Sequence, residues 1–70
     1  MRRIEIRELW KETRHTSKKV ARKVWVVKGY EKFGGGWNKI MTQEIKSLKK
    51  AKMFEKATKD RWKRMGFRYE

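Results

Sequence analysis

The sequence predicts an α+β fold: a small antiparallel β-hairpin or sheet, over about residues 3–12 and 18–33, packed against one long basic helix over about 38–65. Three observations carry this prediction. β-Branched and aromatic residues crowd the first half, four of the five glycines fall between positions 29 and 36, and no Gly or Pro interrupts 38–65. A three-helix, all-α arrangement is the alternative.

Residues 3–12, RIEIRELWKE, begin with Ile4 and Ile6 alternating with Glu5 and Arg7. A period of two suits a half-buried strand. A helix through Ile6, Leu9, Trp10 and Thr13 competes with it, because Leu9 and Trp10 are adjacent. Residues 13–17, TRHTS, are polar and are expected to connect. Residues 18–33 hold Val20, Val24, Trp25, Val26, Val27, Tyr30 and Phe33, a density of β-branched and aromatic side chains that favours a pleated surface. The competing helix would use Val20, Ala21, Val24 and Val27, with Ser17 as its cap.

Residues 34–36, all glycine, are expected to turn the chain from this strand into the helix. Glycine tolerates the positive φ that such a corner needs. A glycine-rich loop entering a helix could instead offer bare N–H groups to a phosphate, but the spacing and the Lys-Ser/Thr of a nucleotide loop are absent. From Asn38 or Thr42, both good N-caps, Ile40, Leu48, Ala51, Phe54, Thr58, Trp62 and Met65 fall on one helical stripe. Gly66 suits the left-handed position after a helix, with Phe67 folding back over the last turn. A helix over 38–65 would be about 40 Å long, more than one small domain covers, so it must break or pack on a second copy of the chain. The residues after Gly66 alternate and suggest a short final edge strand.

Seventy residues make one domain, 1–70, with little room for a core. No cysteine is present to staple it. Trp10, Trp25 and Trp62 are therefore expected in the core, with Met41, Met53 and Met65 filling gaps or an interface. Trp37 stands apart, at the glycine corner. The longest apolar run is only Val24-Trp-Val-Val27, so no membrane span is expected. Met1-Arg-Arg is followed by charged residues rather than an apolar stretch, so no secretory signal is expected either, and the protein reads as intracellular, cytoplasmic or nucleoid-associated.

The chemistry points away from catalysis. His15, the one histidine, sits among polar residues without a partner motif, and no zinc set can be assembled. Glu5, Glu8 and Glu12 are interleaved with Arg2, Arg3, Arg7, Lys11 and Arg14 and read as local charge partners. No cofactor, metal site or enzyme activity is expected.

Charge is the dominant signal. Twenty-two Lys and Arg against eight Asp and Glu give +14, and each half of the chain carries eleven basic and four acidic residues. The basicity belongs to the domain itself and needs a polyanion to relieve it. The proposed nucleic-acid contacts are Lys18, Lys19, Arg22, Lys23 and Lys28 from one block. The helix would add Lys46, Lys49, Lys50, Lys56, Lys63 and Arg64. Between these blocks Tyr30, Phe33 and Trp37, interleaved with Lys32 and Lys39, could stack on unpaired bases. Lysine outnumbers arginine fourteen to eight, which favours phosphate contacts with low sequence specificity. The expected function is thus a small regulatory or architectural binder of DNA or RNA. The alternative is a basic module whose helix docks through Leu48, Phe54 and Trp62 on an acidic surface of a larger protein and modulates it. Under either reading a homodimer is a further partner to expect.

Overall fold

The computed structural model describes residues 1–15 and 18–69, by backbone alone at 13–15 and 18. Three strands and one helix follow in order: β1 (Arg2–His15), β2 (Lys18–Phe33), β3 (Gly36–Ile45) and α1 (Leu48–Arg64). The strands form one antiparallel sheet in the order β1-β2-β3. The α+β class holds, with a single helix, and the all-α alternative does not occur.

Two boundaries differ from those the sequence suggests. β1 runs on through Thr13 and Arg14 to His15, where a polar connection was expected. More consequentially, the first third of the expected helix is β3. Gly34 and Gly35 have φ of 62° and 86°, and Phe33 pairs with Gly36 across them. Positive φ at both central residues marks a type I′ hairpin turn, whose twist suits two paired strands. The glycines therefore join strand to strand, and no helix N-terminus lies beside them. β3 carries Trp37, Ile40, Thr42 and Ile45, residues at home on a pleated surface. The helix is capped by neither Asn38 nor Thr42 but by Ser47, whose Oγ accepts from the Lys50 N–H at 3.4 Å. At seventeen residues α1 is about 26 Å long and fits the sheet without a break.

Strand alternation puts Ile4 and Ile6 of β1, Trp25, Val27 and Gly29 of β2, and Met41 and Ile45 of β3 on one face. The helix covers that face. Ile4, Val27, Ala51 and Trp62 form its buried centre, with Ile6, Trp25, Met41, Ile45, Phe54 and Phe67 around them. Val27 and Ala51 are both fully buried, because the alanine's single methyl lets the helix come close to the sheet. At the other end Trp62, 6% exposed, packs its ring against Gly29. A Cβ there would meet the ring's Cη2 at 3.0 Å and Met41 at 3.3 Å, so the missing side chain makes room for the indole. Leu48 and Met65, assigned to the buried stripe by periodicity, are exposed at the helix ends, and Met53 is exposed on its outer side.

The helix ends in a Schellman motif. Gly66, φ 89°, donates to the Lys63 carbonyl and Phe67 donates to that of Trp62, at 3.1 and 2.9 Å. Arg2 then locks this end to β1. Its guanidinium lies 3.6 Å from the Phe67 ring centroid and 4.9 Å from that of Trp62. Its backbone N–H donates to the Arg68 carbonyl at 2.7 Å. The expected final strand reduces to one parallel bridge between Arg2 and Tyr69.

β3 pairs only as far as Trp25, so from Leu9 to Val24 the β1–β2 hairpin continues as a two-stranded arm. Its seven residue pairs span roughly 20 Å. The radius of gyration is 15.1 Å, against about 11 Å for a compact chain of this length. Trp10 lies on this arm beyond the helix and is 63% exposed. It is not in the core, contrary to expectation, because the helix begins only after the sheet row that ends at Ile45. Instead Lys23 sits between Trp10 and Trp25, 5.6 and 5.7 Å from their centroids, and pairs with Glu8 at 2.6 Å.

Candidate nucleic-acid interface

The helix covers one face of the sheet and leaves the other to solvent. The register builds that open face row by row. Lys32 faces Trp37 at the hairpin end. Arg3, Tyr30 and Lys39 form the next row, followed by Glu5, Lys28 and Thr42, and then by Arg7, Val26 and Glu44. Leu9 with Val24, and Lys11 with Arg22, carry the face onto the arm. Seven cations, two carboxylates and two aromatic rings thus share one surface.

Arg3 organises the aromatic part. Its guanidinium reaches across β2, 5.6 Å from the Tyr30 centroid and 4.6 Å from that of Trp37. Both rings are half-buried on the sheet. A terminal nitrogen of Arg3 is 3.6 Å from Glu5, whose other oxygen is 3.5 Å from Arg7 Nε. Arg3 Nε is buried without a hydrogen-bond partner, which leaves the group short of one acceptor. The cluster gathers two rings and a guanidinium plane, the kinds of group on which unpaired bases stack. Lys28, Lys32 and Lys39 surround it without a carboxylate partner within 4.0 Å among the described residues.

Further along, Lys11 Nζ pairs with Glu44 at 2.8 Å. One is in β1 and the other in β3, so the pair bridges β2 and passes over the row of Val24. That explains why Val24 is only 5% exposed on a face that has no helix.

The residues expected to bind nucleic acid therefore divide between surfaces. Arg22, Lys28, Tyr30, Lys32, Trp37 and Lys39 meet on the open face. Phe33 does not join them: it alternates to the other pleat, at the turn, and is 78% exposed. Lys19 and Lys23 also alternate to the helix side. The side chains of Lys18 and His15 lie outside the described residues. Lys46 is in the link before the helix, and Lys49, Lys50, Lys56, Lys63 and Arg64 are exposed on α1, across the sheet from the rings. The aromatic corner thus does not stand between two positive blocks, as the linear order suggested.

Arg3, Arg7 and Lys11 are the members of the face that sequence reasoning missed. Reading them as partners of nearby acids was right for Arg3 and Arg7, which share Glu5. Lys11, however, finds its carboxylate thirty-three residues away, and Glu8 pairs across the hairpin. The expected docking of the helix through Leu48, Phe54 and Trp62 loses its main anchor, because Trp62 is buried and Phe54 is half-buried against the sheet.

Among the described residues no ligand-sized pocket and no metal-binding cluster forms, and no helix is long and apolar enough to cross a membrane. Compared with protein-family models, with curated proteins and with solved structures, the chain gives no significant match.

Proposed function

We propose that the protein binds single-stranded nucleic acid on the open face of its sheet. The observation that carries this reading is the row-by-row convergence of Tyr30, Trp37 and Arg3 with Lys28, Lys32 and Lys39. Bases stack on the rings while the lysines take the phosphates. Duplex offers its bases only at the groove edges, so it would gain the phosphate contacts without the stacking. Lysine dominance makes the binding tolerant of sequence, as expected of a regulatory or architectural role rather than a site-specific one.

Fluorescence anisotropy with single-stranded DNA, single-stranded RNA and duplex of equal length, repeated across salt, tests the proposal. Single strands should bind more tightly than duplex. About five neutralised phosphates would give a slope of log K against log salt near −3.5. An affinity that ignores salt, or no binding of any nucleic acid at low salt, overturns it. Retention on an acidic protein surface without nucleic-acid binding would point to the modulator reading.

A further inference from the structure

The helix is a second basic surface that the open face leaves unused. α1 carries eight Lys and Arg against Glu55 and Asp60, a net of +6. Glu55 is half-buried, so Asp60 is the one exposed acid on the helix. No salt bridge within 4.0 Å involves a residue of α1 among the described residues. On the sheet, by contrast, Arg2, Arg3, Arg7, Lys11 and Lys23 all have a carboxylate partner. Lys49, Lys56 and Lys63 recur every seven residues on the side away from Ala51, Thr58 and Trp62. They form a stripe about 21 Å long. A solvated helix normally mixes its charges, because like charges three and four residues apart repel.

We infer that this stripe is a second phosphate-binding surface, so that one molecule holds two nucleic-acid segments at once, one on each side. The inference rests on the proposed binding at the open face. The two surfaces point in opposite directions, separated by the sheet and the helix. A short strand lying on Tyr30 and Trp37 cannot also reach Lys56 without turning around a sheet edge. Covering the open face leaves the +6 of the helix unrelieved, and a second polyanion neutralises it. The helix stripe has no ring to stack on, so it takes the backbone alone and accepts duplex and single strand alike.

The test uses a biotinylated single strand of about six nucleotides, near the low end of single-domain site sizes, immobilised on beads. The beads are loaded with the full chain and offered a fluorescent duplex. The protein should capture the duplex, and in solution it should saturate with two short strands per chain. A Lys49→Glu/Lys56→Glu/Lys63→Glu variant, with helical circular dichroism unchanged, should hold the first strand within about threefold, saturate at one, and lose at least tenfold of the duplex capture. Saturation of the native chain at one strand, or undiminished capture by the variant, overturns the inference and leaves the open-face proposal standing. The second of these results would mean that paired copies of the open face do the bridging. Failure to bind the first strand at low salt overturns both.

Discussion

A Trp62→Ala chain loses a large share of its stability and melts far below the native protein, whereas Trp10→Ala melts within a few degrees of it. The contrast follows from where the two rings lie. Trp62 is buried against Gly29, Met41 and the Arg2 side chain and joins the helix to the sheet at its C-terminal end. Truncating a buried tryptophan costs about 3–5 kcal/mol. Seventy residues at roughly 0.05–0.15 kcal/mol each provide only about 3.5–10 kcal/mol in total. Trp10 stands on the arm and loses mainly its contact with Lys23. The same joint can be attacked from the other side. Gly29→Val drives a branched side chain into the indole and into Met41, an overpacking worth about 1–3 kcal/mol. It should lower the urea midpoint, while Gly36→Val, with open space around the new Cβ, should not. Circular dichroism melts and urea titrations of the four variants check both statements.

Tyr30→Ala and Trp37→Ala each weaken single-strand binding by about 1–3 kcal/mol, or roughly 5- to 150-fold, and Phe33→Ala leaves it unchanged. By linear order Phe33 is the natural third ring of the group. By register it lies on the other pleat, so its neutrality separates the sheet-face account from a generic aromatic loop. Duplex affinity should change little in any of the three, because its bases remain stacked within the helix. Anisotropy titrations at one fixed low salt concentration measure this. Equal losses for all three rings would return the binding to the turn.

The elements most legible in the sequence were those whose side chains declare one geometry. Residues 18–33 are so rich in valine and aromatic residues that the strand bounds came out as the structure has them. The helix from Ala51 onward, with Gly66 and Phe67 closing it, was equally plain, because a Schellman end needs only local residues. β3 was hidden by coincidence. Ile40 falls on the same helical stripe as Leu48 and Ala51, and no Gly or Pro separates them. The signal that could have revealed it was the pair Gly34-Gly35 between Phe33 and Trp37, which is a hairpin turn when aromatic residues flank it on both sides.

The open face was less legible because it depends on register. Tyr30 and Trp37 could be singled out as rings near lysines, but nothing local says that Arg3 lies across from Tyr30 or that Lys11 reaches Glu44. With His15 paired to Lys18 and the turn placed at Gly34-Gly35, the β1–β2 rows and the β2–β3 rows as far as Tyr30 follow from counting. A one-residue shift between Gly29 and Tyr30 then skips Ile40 and moves every later β3 partner by one place, which no local signal announces. Trp10 was misplaced for a related reason. Its size argues for burial, but burial requires a covering element, and the helix stops short of its row.

If the open face receives the bases, the indole N–H resonance of Trp37 reports it most directly. In a titration of isotope-labelled protein with a short single-stranded oligonucleotide, the first equivalent should shift that resonance together with the amides of Arg3, Lys28, Tyr30 and Lys39. The indole of Trp62 should stay in place as an internal control. A Trp37 resonance that remains fixed while the oligonucleotide binds would contradict the account.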